Sequence, residues 1–339
     1  MLDYIIWNVQ PEIIEGFSVR WYGLFFAIGF FVSYTFLGKI FKKEGLSQKE
    51  LDNFTFLVFI LLIAGLRLGH CLFYEPEVYL KNPIKILYVW EGGLASHGGA
   101  VGLLTAFFIF AYRTKRTFMW VASRAAIVVP FTATMVRLGN LMNSEIYGIA
   151  TDAPWAFAYI RDAIITTTPD VISAAVQQAG VVAANMQHQV VAIFSNSTEA
   201  LQHGVSFTEV KNVLLQNNLI SQDEVKPLAK SFIDANLISK NHPTQIYEAL
   251  VYIATFGILM TYYFRRSKLG KTISDYLILS LTFLFIFTSR FIIEFIKNEQ
   301  VDFEKGMQFN MGQWLSVPFI ILGLYLLFMH FRNSQKAKS

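Results

Sequence analysis

The sequence has little of what stabilises soluble or secreted proteins. It contains a single cysteine, Cys71, in 339 residues, which excludes an intrachain disulfide framework and a cysteine-rich metal site. Only 15% of the residues are charged, well below the roughly one quarter that is typical of soluble domains. The first residues, MLDYIIWNVQPE, have no basic segment and no small-residue cleavage motif, so we expect no removable signal peptide.

The chain consists instead of long apolar segments. Hydrophobic residues make up 54% of it, with 32 phenylalanines, and a helix of about 20 apolar residues is long enough to cross the hydrocarbon core of a membrane. We therefore predict an all-α polytopic membrane protein with seven transmembrane helices. The predicted spans are residues 18–37, 51–73, 97–112, 118–137, 243–264, 273–295 and 311–330.

The basic residues predict the orientation of these spans, because cytoplasmic loops carry an excess of lysine and arginine. The first, third and fifth connections and the C-terminal tail hold 14 of the 28 basic residues. The even-numbered short loops hold only Lys81, Lys85, Lys297 and Lys305. We expect the N-terminus outside and the C-terminus in the cytoplasm.

One long segment without a span interrupts this plan. We predict that residues 1–160 and 241–339 form the seven-helix transmembrane domain and that residues 161–240 form an extracytoplasmic, helical insertion. Orientation places this insertion outside the membrane, where it would form a small cap or a partner surface.

Helices are also expected within the insertion. Ser206 and Ser221 are each followed by glutamate three residues later, the pattern of a capping box. Apolar spacing after each box predicts helices over 210–218 and 225–238. A third helix is expected in the Ala/Val/Gln-rich stretch between 171 and 194.

Polar residues within the predicted spans fall on one side of the membrane. Ionisable side chains inside a bilayer are costly and mark functional sites by default. With the predicted orientation, all but Arg124 lie near the outer face, which indicates one water-accessible pocket open to the outer leaflet. The outer set is Arg20, Tyr22, Arg67, His70, His97, Arg137, Glu145, His242, Arg290 and Glu294.

Structural roles are open for several of these residues. Arg290 and Glu294 are four residues apart on one helical face, so a purely structural ion pair fits them equally well. Arg67 and His70 fit a scaffold role as well as a lining role. Arg124 is expected to extend toward the inner headgroups, with no functional role.

The stretch GGLASHGGAVG, residues 92–102, indicates an anion site with a proton acceptor. Gly98 and Gly99 leave the first amides of a helix uncovered, and a helix N-terminus favours an anion. His97 beside them exchanges a proton near neutral pH. The arginine fork suits a phosphate, and the histidines lack paired metal-ligand spacing. The residues alone predict a protein that binds a phospholipid headgroup.

The motifs resemble those of the prolipoprotein diacylglyceryl transferase family, whose signature is Gly-Arg-x-Gly-Asn-Phe-x-Asn-x-Glu followed by Gly. Residues 136–148 read VRLGNLMNSEIYG and depart from it only at Val136 and Leu141. Six further blocks follow the family's order, and the resemblance covers nearly the whole chain except about residues 160–240. These blocks are VRWYG, GGLASHGGAVG, TDAPW, HPTQIYE, SRFIIEFIK and MGQWLSVP.

The resemblance implies a reaction and a location. Such enzymes transfer the diacylglyceryl group of phosphatidylglycerol to the thiol of the lipobox cysteine of a prolipoprotein signal peptide and release glycerol 1-phosphate, the first step of bacterial lipoprotein maturation. The protein would be a multi-pass protein of the bacterial cytoplasmic (inner) membrane, with its active site facing the outer leaflet and periplasm. We expect no cofactor, no metal and no nucleic acid.

The resemblance also implies residue roles. His97 is the candidate general base for the thiol, and Arg137 and Arg290 would stabilise the departing phosphate. An arginine-assisted water is the alternative base. The expected substrate-binding residues are Tyr22, Gly98, Gly99, Asn140, Asn143, Glu145, Gly148, His242, Gln245, Tyr247, Glu248 and Glu294. Among these, Glu145 and Glu294 are expected to orient the arginines.

Other classes fit the sequence less well. A lipid transporter would need polar residues at several depths, whereas Arg124 is the only lysine or arginine in the inner half of a span. An inactive scaffold would not need His97, Arg137 and Glu145. An intramembrane protease would need a serine nucleophile motif or paired aspartates, and the sequence has neither.

Overall fold

The computed structural model describes residues 4–14, 16–88, 93–161, 163–195, 204–298 and 306–336. Within these ranges most of the chain is helical, as predicted. The α-helices are α1 (Trp21–Lys43), α2 (Gln48–Phe73), α3 (Pro76–Lys81), α4 (Ser96–Thr114), α5 (Phe118–Met142), α6 (Pro169–Ala179), α7 (Gln187–Ser195), α8 (Phe207–Gln216), α9 (Val225–Asp234), α10 (Thr244–Lys268), α11 (Asp275–Ile293) and α12 (Met311–Lys336). The strands are β1 (Tyr4–Trp7), β2 (Ala156–Tyr159), β3 (Ile164–Ile165) and β4 (Val205–Ser206).

Six helices of the described chain are long and apolar enough to cross a membrane, namely α1, α2, α5, α10, α11 and α12. This confirms a polytopic membrane protein. The expected third span forms α4, whose 19 residues are less apolar because its first turns contain Ser96, His97 and three glycines. The seventh crossing and the orientation of the termini stay predictions.

The chain divides into two compact units. The first comprises the described parts of Met1–Phe26, Thr134–Leu250 and Ser289–Leu315, and the second those of Ala27–Ala133, Val251–Thr288 and Ser316–Ser339. The predicted insertion belongs to the first unit. It shares that unit with the N-terminal strand and with the ends of several long helices.

In the first unit, the inserted segment packs around a hydrophobic core. β1 pairs in parallel with β2, and β3 pairs antiparallel with β4. Helices α6 to α9 cover this core with side chains such as Ile172, Leu214 and Phe232, which are fully buried. The strands were not predicted, because they are only two to four residues long and β1 lies about 150 residues from its partner in the sequence.

The predicted capping boxes of the insertion are confirmed. Ser206 and Glu209 exchange both hydrogen bonds at the start of α8. Before α9, the Ser221 amide and hydroxyl both donate to Glu224 Oε2, at 2.6 and 2.8 Å. The expected third helix is instead two helices, α6 and α7, because Gly180 ends α6 with a left-handed φ of 64°. Parts of the predicted insertion, residues 162 and 196–203, lie outside the described residues.

In the second unit, α2 and α4 approach each other through glycines. A Cβ on Gly69 would lie 2.8 Å from the Cα of Gly98, and a Cβ on Gly65 would collide with the Gly98 carbonyl oxygen. Gly102 likewise abuts the Leu61 carbonyl. Small residues four apart on both helices let the two backbones pack closely, as membrane helices without a hydrophobic driving force require.

Arg124 does not extend toward solvent, so the prediction for it was wrong. It is 4% exposed and forms ion pairs with Glu44, Nε to Oε1 at 2.9 Å, and with Asp275. Its guanidinium also lies over the Trp120 ring, 5.2 Å from the centroid. Two carboxylates within reach offset the cost of burying the cation, which makes Arg124 a structural link between α1, α5 and α11.

Gly65→Ala is expected to lower the free energy of unfolding by about 1–3 kcal/mol, since its methyl group overpacks the α2–α4 contact. The matched control is Gly257→Ala in α10, where a Cβ meets no atom within 4 Å. That control should change stability by no more than about 1 kcal/mol and in the stabilising direction. Unfolding followed by circular dichroism in detergent measures both, and equal effects would contradict the packing argument.

Candidate functional site

The signature stretch occupies the last two turns of α5 and the turn that follows. α5 continues to Met142, five residues beyond the predicted end of this span, so Arg137 and Asn140 both lie on the helix. After the helix, Ser144 and Ile146 have left-handed φ angles of 56° and 60°. Such angles cost about 1–3 kcal/mol in residues other than glycine and persist only where the surroundings fix them.

The surroundings hold this turn through its backbone carbonyls. Five of them accept hydrogen bonds from side chains that come from other parts of the first unit. The bonds run from Trp7 Nε1 to Leu141 O (3.0 Å), from Arg161 Nη2 to Asn143 O, from Gln245 Nε2 to Glu145 O (2.7 Å), from Thr244 Oγ1 to Ile146 O (2.8 Å) and from Asn241 Nδ2 to Gly148 O (2.9 Å). These five carbonyls, which we call the signature-turn carbonyls, fix the path of the strained backbone.

The side chains of the signature form a hydrogen-bonded row. Arg137 Nη1 donates to Asn140 Oδ1 at 3.3 Å, and Asn140 Nδ2 donates to Glu145 Oε1 at 2.8 Å. Asn143 Nδ2 donates to the same oxygen at 3.2 Å. Glu145 therefore orients Arg137 through an intervening amide.

A cluster of buried ionic groups lies beside this row. Glu248 is fully buried and contacts two cations: its Oε2 lies 2.9 Å from Arg137 Nε and its Oε1 lies 3.5 Å from Lys297 Nζ. The first contact is an ion pair without hydrogen-bond alignment, because Oε2 accepts no hydrogen bond from any described residue. Lys297 Nζ also lies 3.5 Å from Glu294 Oε2.

Both the carboxylates and the arginines of this cluster affect the pKa of Lys297. Burial lowers its pKa from the ordinary lysine value, Glu248 and Glu294 act in the opposite direction, and Arg137 and Arg290 lower it further. The two arginines thus act on the same ammonium group. This places both of them at the edge of one cluster.

Arg290 is the cation of this cluster that lacks a described ion-pair partner. Its side chain is half-buried, and the structural pairing with Glu294 that the sequence left open is not observed. Glu294 instead faces Lys297 and abuts Gly312, where a Cβ would collide with the carboxylate. A half-buried guanidinium without a carboxylate partner suits an external anion.

Several predicted binding residues make structural contacts in the first unit. Gln245 is fully buried; besides its bond to the signature turn, its Oε1 accepts a hydrogen bond from Tyr159 at 3.1 Å. Burial raises the pKa of Tyr159, so this hydroxyl stays a donor. Gly148 admits no side chain, because a Cβ would collide with the Ile296 carbonyl. Gly139 likewise makes room for Tyr22, whose Cδ2 would lie 2.8 Å from an added Cβ.

His242 and Tyr247 lie at the start of α10. His242 Nδ1 and the Tyr247 hydroxyl are 3.1 Å apart, and Trp155 Nε1 donates to the same hydroxyl at 2.7 Å. His242 precedes the helix, which begins at Thr244, and its carbonyl accepts from the Gly148 amide at 2.8 Å. Its contribution is therefore partly to the backbone of the signature turn.

His97, Gly98 and Gly99 belong to the second unit. The His97 side chain is exposed at the first turn of α4, with its ring centroid 5.2 Å from that of Phe73. Gly98 and Gly99 are buried against α2, and their expected role in substrate binding stays a prediction. Gly92, the first residue of this motif, lies outside the described residues.

Arg67 and His70 act as scaffold in the same unit. Arg67 is 2% exposed and donates to the carbonyls of Ile86 (3.0 Å) and Lys85 (2.6 Å). His70 packs against Tyr79 with 6.1 Å between ring centroids. These contacts hold the segment after α3.

Sequence reasoning missed three residues of the site. Lys297 was counted only as a loop charge, although its position three residues after Glu294 in an apolar segment was a signal. Trp7 and Arg161 carried no signal, because their link to α5 depends on the pairing of β1 with β2.

The fold and site define a polytopic membrane protein with a buried cationic cluster at the end of α5. The family described as prolipoprotein diacylglyceryl transferase matches residues 9–329. A phosphatidylglycerol–prolipoprotein diacylglyceryl transferase of Tolumonas auensis is 33% identical over 328 residues, which cover 96% of this chain and 97% of the relative. The enzymes of the same name from Chloroherpeton thalassium and Porphyromonas gingivalis are 31% and 33% identical, covering 99% and 97% of this chain and 98% and 96% of the relatives. The chain belongs to the prolipoprotein diacylglyceryl transferase family.

Lys297→Met is expected to lower the free energy of unfolding by about 3–5 kcal/mol, because Glu248 and Glu294 then lose a cation inside the protein. The control is Lys240→Met, whose partner Asp152 is 94% exposed, and it should cost less than about 1 kcal/mol. Denaturation in detergent measures the difference. Similar small losses in the two variants would show that the buried cluster does not stabilise the fold.

Proposed function

We propose that this protein transfers the diacylglyceryl group of phosphatidylglycerol to the lipobox cysteine thiol of prolipoproteins. The names of the relatives support the substrates and the reaction. The observation that carries the proposal is Arg290, a half-buried residue with no described carboxylate partner, whose charge acts on the same Lys297 ammonium group as that of Arg137. A lipid phosphate would supply the missing anion.

The reaction assigns a role to each charge. The thiolate is the nucleophile, and it attacks the glyceryl carbon that carries the phosphate ester. A carbon–sulfur bond forms, the carbon–oxygen bond breaks, and glycerol 1-phosphate leaves with the bonding electrons. Arg137 and Arg290 stabilise the negative charge that grows on this group, each by about 2–4 kcal/mol if they act like single oxyanion donors.

His97 is the proposed acceptor of the thiol proton, since its imidazole is exposed at the start of α4 and histidine is the most frequent general base. Asn143 supports binding of the glycerol headgroup. Its buried Oδ1 accepts no hydrogen bond from the described residues, and a headgroup hydroxyl is a donor that would satisfy it. Tyr22, Asn140, Tyr247 and His242 complete the proposed set of polar contacts.

We also propose that the protein crosses the bacterial cytoplasmic membrane seven times, with α4 as the seventh span. The site then faces the outer leaflet, where phosphatidylglycerol and the lipobox cysteine are both accessible. The distribution of lysine and arginine between loops supports this orientation.

Purified protein is expected to release glycerol phosphate from phosphatidylglycerol only when a lipobox peptide is present. Arg290→Gln should lower kcat/KM by about 10²- to 10³-fold, as loss of a single oxyanion donor does, and should leave the protein folded. The matched control is Arg265→Gln, an exposed arginine at the other end of α10, which should retain activity. Absence of product with the wild-type protein would overturn the proposal, and an active Arg290→Gln would remove Arg290 from the mechanism.

Orientation is tested with single cysteines in a Cys71→Ala background. Asp223→Cys lies in the insertion and Lys268→Cys at the end of α10, and both positions are exposed. A membrane-impermeant maleimide should label Asp223→Cys in intact cells with a permeabilised outer membrane, and Lys268→Cys only after lysis. The reverse pattern would invert the topology.

A further inference from the structure

The C-terminal end of α5 favours a nearby cation, and the last turn of the helix does not provide one. The last four carbonyls of a helix have no partner within it, and cations near them are stabilising. The last turn of α5 contains no basic residue. The carbonyls of Gly139, Asn140 and Leu141 accept from the backbone amides of Asn143, Glu145 and Ser144. The carbonyls of Met142 and Asn143 follow them, and in the apolar surroundings of a membrane protein they need donors from elsewhere.

Arg161 supplies these donors. Its Nη1 donates to Met142 O at 3.5 Å and to Val9 O at 3.2 Å, and its Nη2 donates to Asn143 O. One guanidinium therefore joins the last residue of α5, the first residue of the signature turn and the segment after β1. A planar fork with five N–H groups makes such a bridge, whereas an ammonium group on a flexible chain does not reproduce it.

The insertion fixes the position of Arg161. β2 pairs with β1 and ends two residues before it, and Thr208 at the start of α8 donates to the Arg161 carbonyl at 2.6 Å. The Phe207 amide donates to Ala163 O at 2.9 Å just beyond. The backbone before Arg161 is thus held by β1, outside the insertion, and the backbone at and after Arg161 by α8, within the insertion.

We propose that Arg161 is a positioning residue of the transferase site and that the insertion acts on this site through it. The bridge sets the backbone at Asn143, whose side chain binds Glu145, and Glu145 orients Arg137 through Asn140. The effect of Arg161 on catalysis rests on the proposed transferase function. The hydrogen bonds that Arg161 makes to Val9, Met142 and Asn143, which form the bridge, do not depend on that function.

The test compares Arg161→Ala, Arg161→Lys and Thr208→Val in the full-length protein. Arg161→Ala should lower kcat/KM for phosphatidylglycerol by roughly tenfold to hundredfold, the range that misplacement of a catalytic constellation costs. The loss should fall mainly on kcat, because the displaced groups act on the leaving phosphate. Arg161→Lys should recover part of it, and added guanidinium should partly restore Arg161→Ala. Thr208→Val should lower kcat/KM by a smaller factor, and this loss should again fall mainly on kcat.

The matched control is Lys226→Ala, which removes an exposed cation from α9 of the same insertion. It should leave both kinetic constants unchanged and should not respond to guanidinium. A folded Arg161→Ala with wild-type kinetics would overturn the proposal. So would a loss of activity that follows only a loss of folded protein and that neither lysine nor guanidinium repairs.

Amide hydrogen exchange separates this inference from the proposed function. In folded Arg161→Ala, peptides covering residues 139–149 should exchange faster than in the wild type, while peptides from α2 should not change. If the wild-type protein forms no product but this exchange difference is present, the transferase proposal fails and the bridge stands. If exchange in residues 139–149 is unchanged, the bridge is refuted whatever the activity.

Discussion

The structure depends on how the backbone carbonyls at the end of α5 obtain their donors. Helix ends leave carbonyls without partners, and an unpaired carbonyl in apolar surroundings costs several kcal/mol. The signature turn adds left-handed residues at Ser144 and Ile146, which require further restraint. The side-chain donors come from Trp7 in β1, from Arg161 two residues after β2 and from Thr244 at the start of α10. Three separate chain segments are therefore needed to shape one short turn.

Charge balance gives the same site its preference for an anion. Within ion-pair distance, the two cations Arg137 and Lys297 face the two carboxylates Glu248 and Glu294. Burying such a set is tolerable because the charges offset one another. Arg290 is then an additional positive charge that the described carboxylates do not neutralise. In the proposed reaction, the lipid phosphate would balance this charge.

The sequence was informative where structure follows from local patterns. Apolar length predicted the spans, and the spacing of Ser206 and Ser221 from their glutamates predicted the starts of two helical segments. The sequence was not informative where the structure depends on contacts between residues that lie far apart in the chain. The bond from Trp7 to Leu141, the ion pairs of Arg124 and the position of Arg161 all follow from contacts across the fold. The close packing of Gly98 against α2 was also not predicted, because it leaves no local signal beyond the glycines themselves.

The residues of the family motifs separate into two groups with different physical roles. Gln245, Thr244 and Gly148 are accounted for by backbone hydrogen bonds and close contacts, which they would make in the absence of any ligand. Arg290 and the Oδ1 atom of Asn143 are not accounted for in this way, because their polar groups lack described partners. In the proposed reaction, Arg290 in α11 and the Asn143 acceptor after α5 would serve the two chemical features of a glycerol phosphate headgroup, its charge and its hydroxyl donors. The proposed substrate is thus complementary to polar groups that have no partner among the described residues.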